Sequence, residues 1–359
     1  MKSLDDYQRS VLRHGRFAIK GGPGSGKSWT LEGYVAWQRS QGREVLVLVR
    51  KRKEAEELRS RGVKAFTLQS HRYKALGYPE IVTPDDLAAL LEGLQEGEKQ
   101  FDALAVDEVH NWSPEFFDVA RSLWTEGDFI CFFDEHQSLM HWAGAVRDLK
   151  EELWWAFGVD DKHIIHLVNN YRSAPKVVEV LNTVVPREMY SRANVGYGSF
   201  HVEKCYNLED ECRFVYNQLL KGYEDVQVLA RNSSICRRVS SFLEAKGVKH
   251  GLYLAGGEEV EAKVLVQTIF TAQATEHMVV FLLGTCQGIL PDYRSPVRDE
   301  HNVFYVGCSR AKRDLFIAYH ATPSEFLTRK IRRLGGEKVR GESDAMERLR
   351  EAEWAVEAI

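Results

Sequence analysis

The sequence predicts an α/β protein built on parallel sheets, and three observations carry that reading. Short apolar runs of four to seven residues alternate with amphipathic helical stretches through both halves of the chain. That is the pattern of strands covered by helices on both faces. The chain has 359 residues, about two domains' worth and enough for two cores. A glycine-rich turn, GGPGSGKS from Gly21 to Ser28, follows an apolar run and opens a helical one, which is the setting of a phosphate-binding loop.

In the first half the predicted strands are RFAIK (16–20), EVLVLV (44–49), AFTL (65–68), ALAV (103–106) and FICFF (129–133). Each is apolar, β-branched or aromatic and bounded by polar residues. Predicted helices fill 27–41, 53–61, 85–95, 114–124 and 145–156. FGVDDK interrupts the pattern near 158–164 and marks a boundary. Beyond it IIHL (164–167), HVEKCY (201–206), VQVLA (226–230), VLVQTIF (264–270), VVFLL (279–283) and LFIAY (315–319) read as strands of a second domain. Helices are expected near 175–184, 209–221, 233–246 and 298–312. The predicted division is therefore 1–160, 161–322 and a charged, helix-prone tail, 323–359, which contains RKIRRLGGEKVR. A solvated face is the default for such a charge run, with a partner-binding surface as the alternative.

The turn fits G-x-x-x-x-G-K-[ST]. Its glycines (21, 22, 24 and 26) let the backbone bend sharply and aim N–H groups at phosphate oxygens. Gly22, Pro23, Gly24, Ser25 and Gly26 would cradle a triphosphate. Lys27 would set a point charge between the β- and γ-phosphates, and the Ser28 hydroxyl would hold Mg²⁺. The helix that follows turns its positive end toward the anion. The second signal is VDEVH (106–110), directly after a predicted strand. A nucleotide triphosphatase needs one carboxylate at a strand end to hold Mg²⁺ and another to orient or deprotonate the attacking water. Asp107 suits the first role and Glu108 the second.

Composition narrows the class. With 44% hydrophobic and 28% charged residues the chain reads as an ordinary soluble protein. Its net charge of −4 does not announce nucleic-acid binding, although a local basic groove would suffice. Six cysteines form no C-x-x-C pair, and Cys131 and Cys308 fall in apolar segments, which suits buried thiols and a reducing cytoplasm. The N-terminal MKSLDDYQRS has no apolar core of a signal peptide, and no run of 18 apolar residues suggests a membrane span.

From Tyr7 to about Arg313 the motifs occur in an order that resembles superfamily 1 helicases of the UvrD/Rep/PcrA type. The resemblance implies two tandem RecA-like domains with ATP in the cleft between them. LDDYQRSVL (4–12) places Gln8 where the family reads adenine. TLQSHRYKAL (67–76) looks like the strand-contacting TxHS motif, with Thr67 and Ser70 in place and Gln69 for the usual histidine. FFDEHQSLMHWAGA (132–145) looks like GDxxQSIYxWRGA. By that likeness Gln137 senses the γ-phosphate and Trp142 stacks on a base, while Ala143 replaces the usual arginine. NNYRS (169–173) implies that Tyr171 stacks on adenine and Arg172 reaches the γ-phosphate. FYVGCSRAK (304–312) implies Arg310 as a second arginine finger. TIFTAQATE (268–276) departs most from its counterpart, TxHxxKGLE. Thr268, expected at the strand, and Glu276, expected at the ribose, remain. Phe270, Gln273, Ala274 and Thr275 replace the histidine, lysine, glycine and leucine.

The intervals where larger members insert accessory domains, 72–101 and 174–267, are short here. The implied activity is an ATP-dependent translocase or helicase on single-stranded DNA, using ATP and Mg²⁺; the motifs do not separate DNA from RNA. The competing reading is a nucleotide-gated ATPase subunit of a larger DNA-processing or anti-phage defence complex, working beside a nuclease or other effector. RKRK (50–53) is balanced between strand contact and a solvated charge run. The remaining tryptophans (29, 37, 112, 124, 154 and 155) are expected to pack.

Overall fold

The fold is described from a computed structural model, over residues 4–49, 52–60, 65–67, 101–124, 126–257 and 260–337. The chain divides into two compact units, Met1–Val168 and Asn169–Ile359. After a short helix α1 (Asp6–Arg9), the first unit carries β1 (Arg16–Gly21), α2 (Lys27–Ser40), β2 (Val45–Val49), α3 (Arg52–Ser60), β3 (Ala65–Thr67), β4 (Ala103–Val106), α4 (Pro114–Leu123), β5 (Asp128–Phe133), α5 (Leu149–Phe157) and β6 (Ile164–Leu167). Among the described residues its six strands lie in the order β3-β2-β4-β5-β1-β6, every pair parallel.

The uninterrupted apolar runs have a simple cause. Along β2, Val45, Val47 and Val49 point into one core with Leu31, Tyr34 and Val35 of α2. Leu46 and Leu48 point into the other, with Phe117 of α4 and Leu153 and Phe157 of α5. Successive side chains alternate faces, and both faces are covered, so neither set is polar.

Two boundaries differ from the sequence expectation. IIHL (164–167) is the edge strand of the first sheet, paired with β1 from Ala18↔Ile164 to Gly21↔Leu167, and does not begin the second domain. Part of the predicted tail is also not solvated. Phe326, Leu327 and Ile331 are buried, and the backbone of Gly335 bonds Val202 at 3.1 Å. Residues 338–359 and the predicted helix 85–95 lie outside the described residues.

The second unit contains β7 (Asn169–Asn170), α6 (Pro175–Val184), β8 (Tyr190–Ser191), β9 (Ser199–Lys204), α7 (Leu208–Leu219), β10 (Val226–Ala230), α8 (Ser233–Ala245), β11 (Gly251–Tyr253), β12 (Val264–Thr268), β13 (His277–Leu283), α9 (Val297–Ser309), β14 (Ala311–Tyr319) and α10 (Arg329–Leu334). Its main sheet is also wholly parallel, in the order β11-β12-β10-β13-β14-β9. Two parallel sheets, the first with a phosphate-loop motif, make the chain a tandem RecA-like α/β protein. Secondary structure of the unit itself fills 174–267. No described helix is long and apolar enough to cross a membrane.

Candidate nucleotide site

Sheet order explains how distant residues of the first unit meet. β1, β5 and β4 are adjacent and parallel, so the turn after β1, Asp107 after β4 and Asp134 after β5 emerge at the same carboxyl edge. In α/β sheets that edge is where ligands bind.

The turn itself is shaped for an anion. Gly24 and Gly26 have φ of +70° and +79°, a left-handed backbone that glycine adopts without strain. A Cβ on Gly21 would lie 2.4 Å from Ser25 Oγ. No side chain caps α2, and its first turn holds no acidic residue. Its leading N–H groups and positive dipole end therefore suit a phosphate. The Ser25 hydroxyl is buried inside the turn with no hydrogen-bond partner among the described residues.

Lys27 is 7% exposed; its Nζ donates to the Gly21 carbonyl at 3.2 Å and lies 3.5 Å from Glu108 Oε1. The Ser28 hydroxyl donates to Asp107 Oδ2 at 3.0 Å. A hydroxyl and a carboxylate are hard oxygen donors of the kind Mg²⁺ takes, so the residues fit that ion. Glu108 has φ +52° and ψ +40°, a left-handed conformation costly for a residue with a Cβ. Burial pushes its carboxyl up, but the charge of Lys27 and the neighbouring His110 outweigh this and hold it well below the usual carboxylate range.

His110 and Asp134 also belong to this edge, through contacts that no sequence motif indicates. His110 is 2% exposed. The Asp134 backbone N–H donates to its Nδ1 at 3.1 Å, and its Nε2 lies 3.0 Å from Glu108 Oε2. Asp134 Oδ2 in turn accepts from Gln137 Nε2 at 2.8 Å. The visible signal was the histidine two positions after Glu108 in VDEVH.

Other expected residues are placed as follows. Gln8 is buried in a capping box, its side-chain carbonyl accepting the Asp5 N–H at 3.1 Å. That is a structural task the sequence did not reveal. Trp142 is 76% exposed beside the carboxyl edge, so it is not a core aromatic. Trp112 and Trp124 pack as expected, but Trp154 and Trp155 are exposed on α5, which corrects the expectation for those two. Thr67 ends β3, whereas Gln69, Ser70, Arg50 and Lys51 lie outside the described residues.

In the second unit, the paired starts of β13 and β14 (His277 opposite Ala311) bring Glu276 and Arg310 to one edge. Arg172 forms an ion pair with Glu276. The Asn170 side-chain carbonyl accepts the backbone N–H groups of Arg172 and Ser173 at 2.9 and 2.7 Å and fixes that turn. Tyr171 is half-exposed, its hydroxyl 3.4 Å from Asn169 Nδ2.

Arg310 is placed differently from an exposed finger. It is buried at 2% exposure and donates to the carbonyls of Gln273 and Val306 at 2.7 and 3.2 Å and to Ser309 Oγ at 2.8 Å. Residues of the divergent TIFTAQATE segment are engaged by neighbours within the second unit. Gln227 and Gln267 both donate to Thr275 Oγ1, at 2.8 and 2.9 Å. Phe270 lies 4.6 Å under the Arg231 guanidinium, itself bidentate to the buried Glu300. Thr268 is buried, its Oγ1 3.1 Å from Thr271 Oγ1, so it braces this loop.

Stretches of both units are similar to known proteins. Residues 4–121 match the AAA domain family and residues 252–322 match the UvrD-like helicase C-terminal domain family. The ATP-dependent DNA helicase Rep of Buchnera aphidicola is 35% identical over 66 residues, 17% of this chain and 10% of that protein. The ATP-dependent DNA helicase PcrA of Staphylococcus aureus is 23% identical over 205 residues, 52% of this chain and 28% of that protein. The chain thus spans less than a third of the length of these relatives. The crystal structure of Arterivirus nonstructural protein 10, a helicase, covers 87% of this chain and 61% of its own, with 16% identity and a TM-score of 0.46. Over these stretches, and in the order of the motifs, the chain is similar to helicases of the UvrD/Rep/PcrA superfamily 1 type.

Proposed function

We propose that the chain hydrolyses Mg-ATP and uses it to move along single-stranded DNA. One observation carries the reading: Lys27, Ser28, Asp107 and Glu108 converge on an uncapped helix N-terminus at the carboxyl edge of adjacent strands. Gly22, Pro23, Gly24, Ser25 and Gly26 wrap the phosphates, and Lys27 leaves Glu108 to pair with the β- and γ-phosphates. Ser28 and Asp107 would hold Mg²⁺, which when bound would neutralise phosphate charge. Glu108 is then released to orient and deprotonate the water, and Gln137 senses the γ-phosphate. Arg172 leaves Glu276 for the γ-phosphate, Glu276 takes the ribose, and Gln8 and Tyr171 hold the adenine. Arg310 serves as the second arginine once it leaves the Gln273 carbonyl. Trp142, exposed five residues after Gln137, offers a base-stacking platform, and the DNA assignment follows from the relatives, which are ATP-dependent DNA helicases.

A second reading has its own support. Thr268, Thr275, Phe270 and Arg310 are all engaged within the second unit, and Ala143 stands where a coupling arginine is usual. These favour an ATPase subunit of a larger DNA-processing or anti-phage assembly, gated by a protein partner such as a nuclease. An ATPase assay with and without single-stranded DNA and RNA decides. Turnover stimulated by a strand supports the motor, turnover seen only with a partner supports the subunit, and no turnover by folded protein under any condition refutes both.

A further inference from the structure

We propose that His110 is a positioning residue that sets Glu108 for water activation and ties it to the segment bearing Gln137 and Trp142. The proposal rests on the ATPase reading. A backbone N–H can only donate, so the bond from Asp134 N to Nδ1 at 3.1 Å makes Nδ1 an acceptor. In the neutral ring the proton is therefore on Nε2, aimed at Glu108 Oε2 3.0 Å away. That N–H is buried, with the carboxylate close but not aligned for a full hydrogen bond. Catalytic hydrogen bonds are commonly loose until the reacting complex forms. Departure of Lys27 toward phosphate would let Glu108 turn onto Nε2, exchanging one cationic partner for one fixed donor.

The backbone of the same residue extends the link. The His110 carbonyl accepts from Ser138 Oγ at 2.9 Å. Ser138 has one hydroxyl proton, so its 3.2 Å contact with His141 Nε2 is one in which Ser138 accepts. His141 directly precedes Trp142. Displacement of 134–142 by a bound strand therefore pulls on both the side chain and the backbone of the residue facing Glu108.

The test compares the wild-type chain, His110→Phe and His110→Gln. Phenylalanine keeps volume and loses both polar contacts, whereas glutamine can still donate to Glu108. Because ångström-scale misplacement costs about 10²-fold, His110→Phe should lower kcat about that much while Mg-ADP affinity by calorimetry stays within about threefold, and His110→Gln should recover at least about tenfold. If His110→Phe does not fold, His110→Ala takes its place. Wild-type kcat in the apolar variant overturns the proposal, as does parallel loss of kcat and ADP affinity in both variants. A wild-type chain without turnover overturns the ATPase reading instead.

Discussion

Arg310→Ala should destabilise the second unit by about 3 kcal/mol in addition to slowing ATP turnover. The magnitude follows from the side chain's surroundings. Its guanidinium donates to Gln273 O, Val306 O and Ser309 Oγ from a buried position. Removing the donor from the Gln273 carbonyl costs about 1–3 kcal/mol. The Val306 carbonyl suffers less, because Ser309 Oγ also donates to it at 2.8 Å. Losing the buried aliphatic stem adds about 2 kcal/mol, at roughly 0.8 kcal/mol per methylene. Burying a guanidinium has its own desolvation cost, which the substitution relieves, so about 3 kcal/mol is expected and not the full sum. At about 2–4 °C per kcal/mol for a unit of this size, the melting transition should fall by about 6–12 °C. Calorimetry of the full chain, with Arg310→Lys as a partial substitute that keeps charge and stem, measures this. A transition within about 2 °C of wild type, with kcat still reduced, would show that Arg310 does not anchor the divergent loop and would refute the reasoning.

Three other outcomes are expected. Glu108→Gln should bind Mg-ATP but lose about 10²–10⁴-fold in turnover, the usual worth of a general base; single-turnover kinetics will show it. Trp142→Ala should weaken single-strand binding by about 1–3 kcal/mol, measured by fluorescence anisotropy at fixed salt. The third concerns pH. Glu211 Oε1 lies 2.6 Å from His320 Nδ1, and that hydrogen bond raises the imidazole pKa despite burial. Stabilisation from a raised pKa is fully present below the unfolded value near 6.5 and is lost as pH rises through the folded value. Urea unfolding should therefore show a larger gap between wild type and Glu211→Gln at pH 6 than at pH 9, and a pH-independent gap would count against the pair.

What the sequence made legible, and what it hid, divides along one physical line. A strand buried on both faces is apolar at nearly every position, so β2 and residues 129–133 of β5 are readable from local composition alone. The turn after β1 is readable because left-handed φ at Gly24 and Gly26 restricts which residues stand there. Pairing is another matter. IIHL is as apolar as its neighbours, but only backbone register with β1 decides which sheet owns it. The same holds for side-chain direction. The motif around Arg310 identifies the residue but not that Gln273, 37 positions earlier, supplies a carbonyl that turns it inward. PSEFLTRKI looked solvated by charge count, yet Phe326, Leu327 and Ile331 suffice to bury one face of it. His110 falls between these cases. Its position beside Glu108 was visible, but its role depends on an N–H from a strand end 24 residues away, brought near because β4 and β5 pair in parallel. Local chemistry is thus written in local sequence, whereas the constraints that aim it come from strand adjacency, which no single segment records.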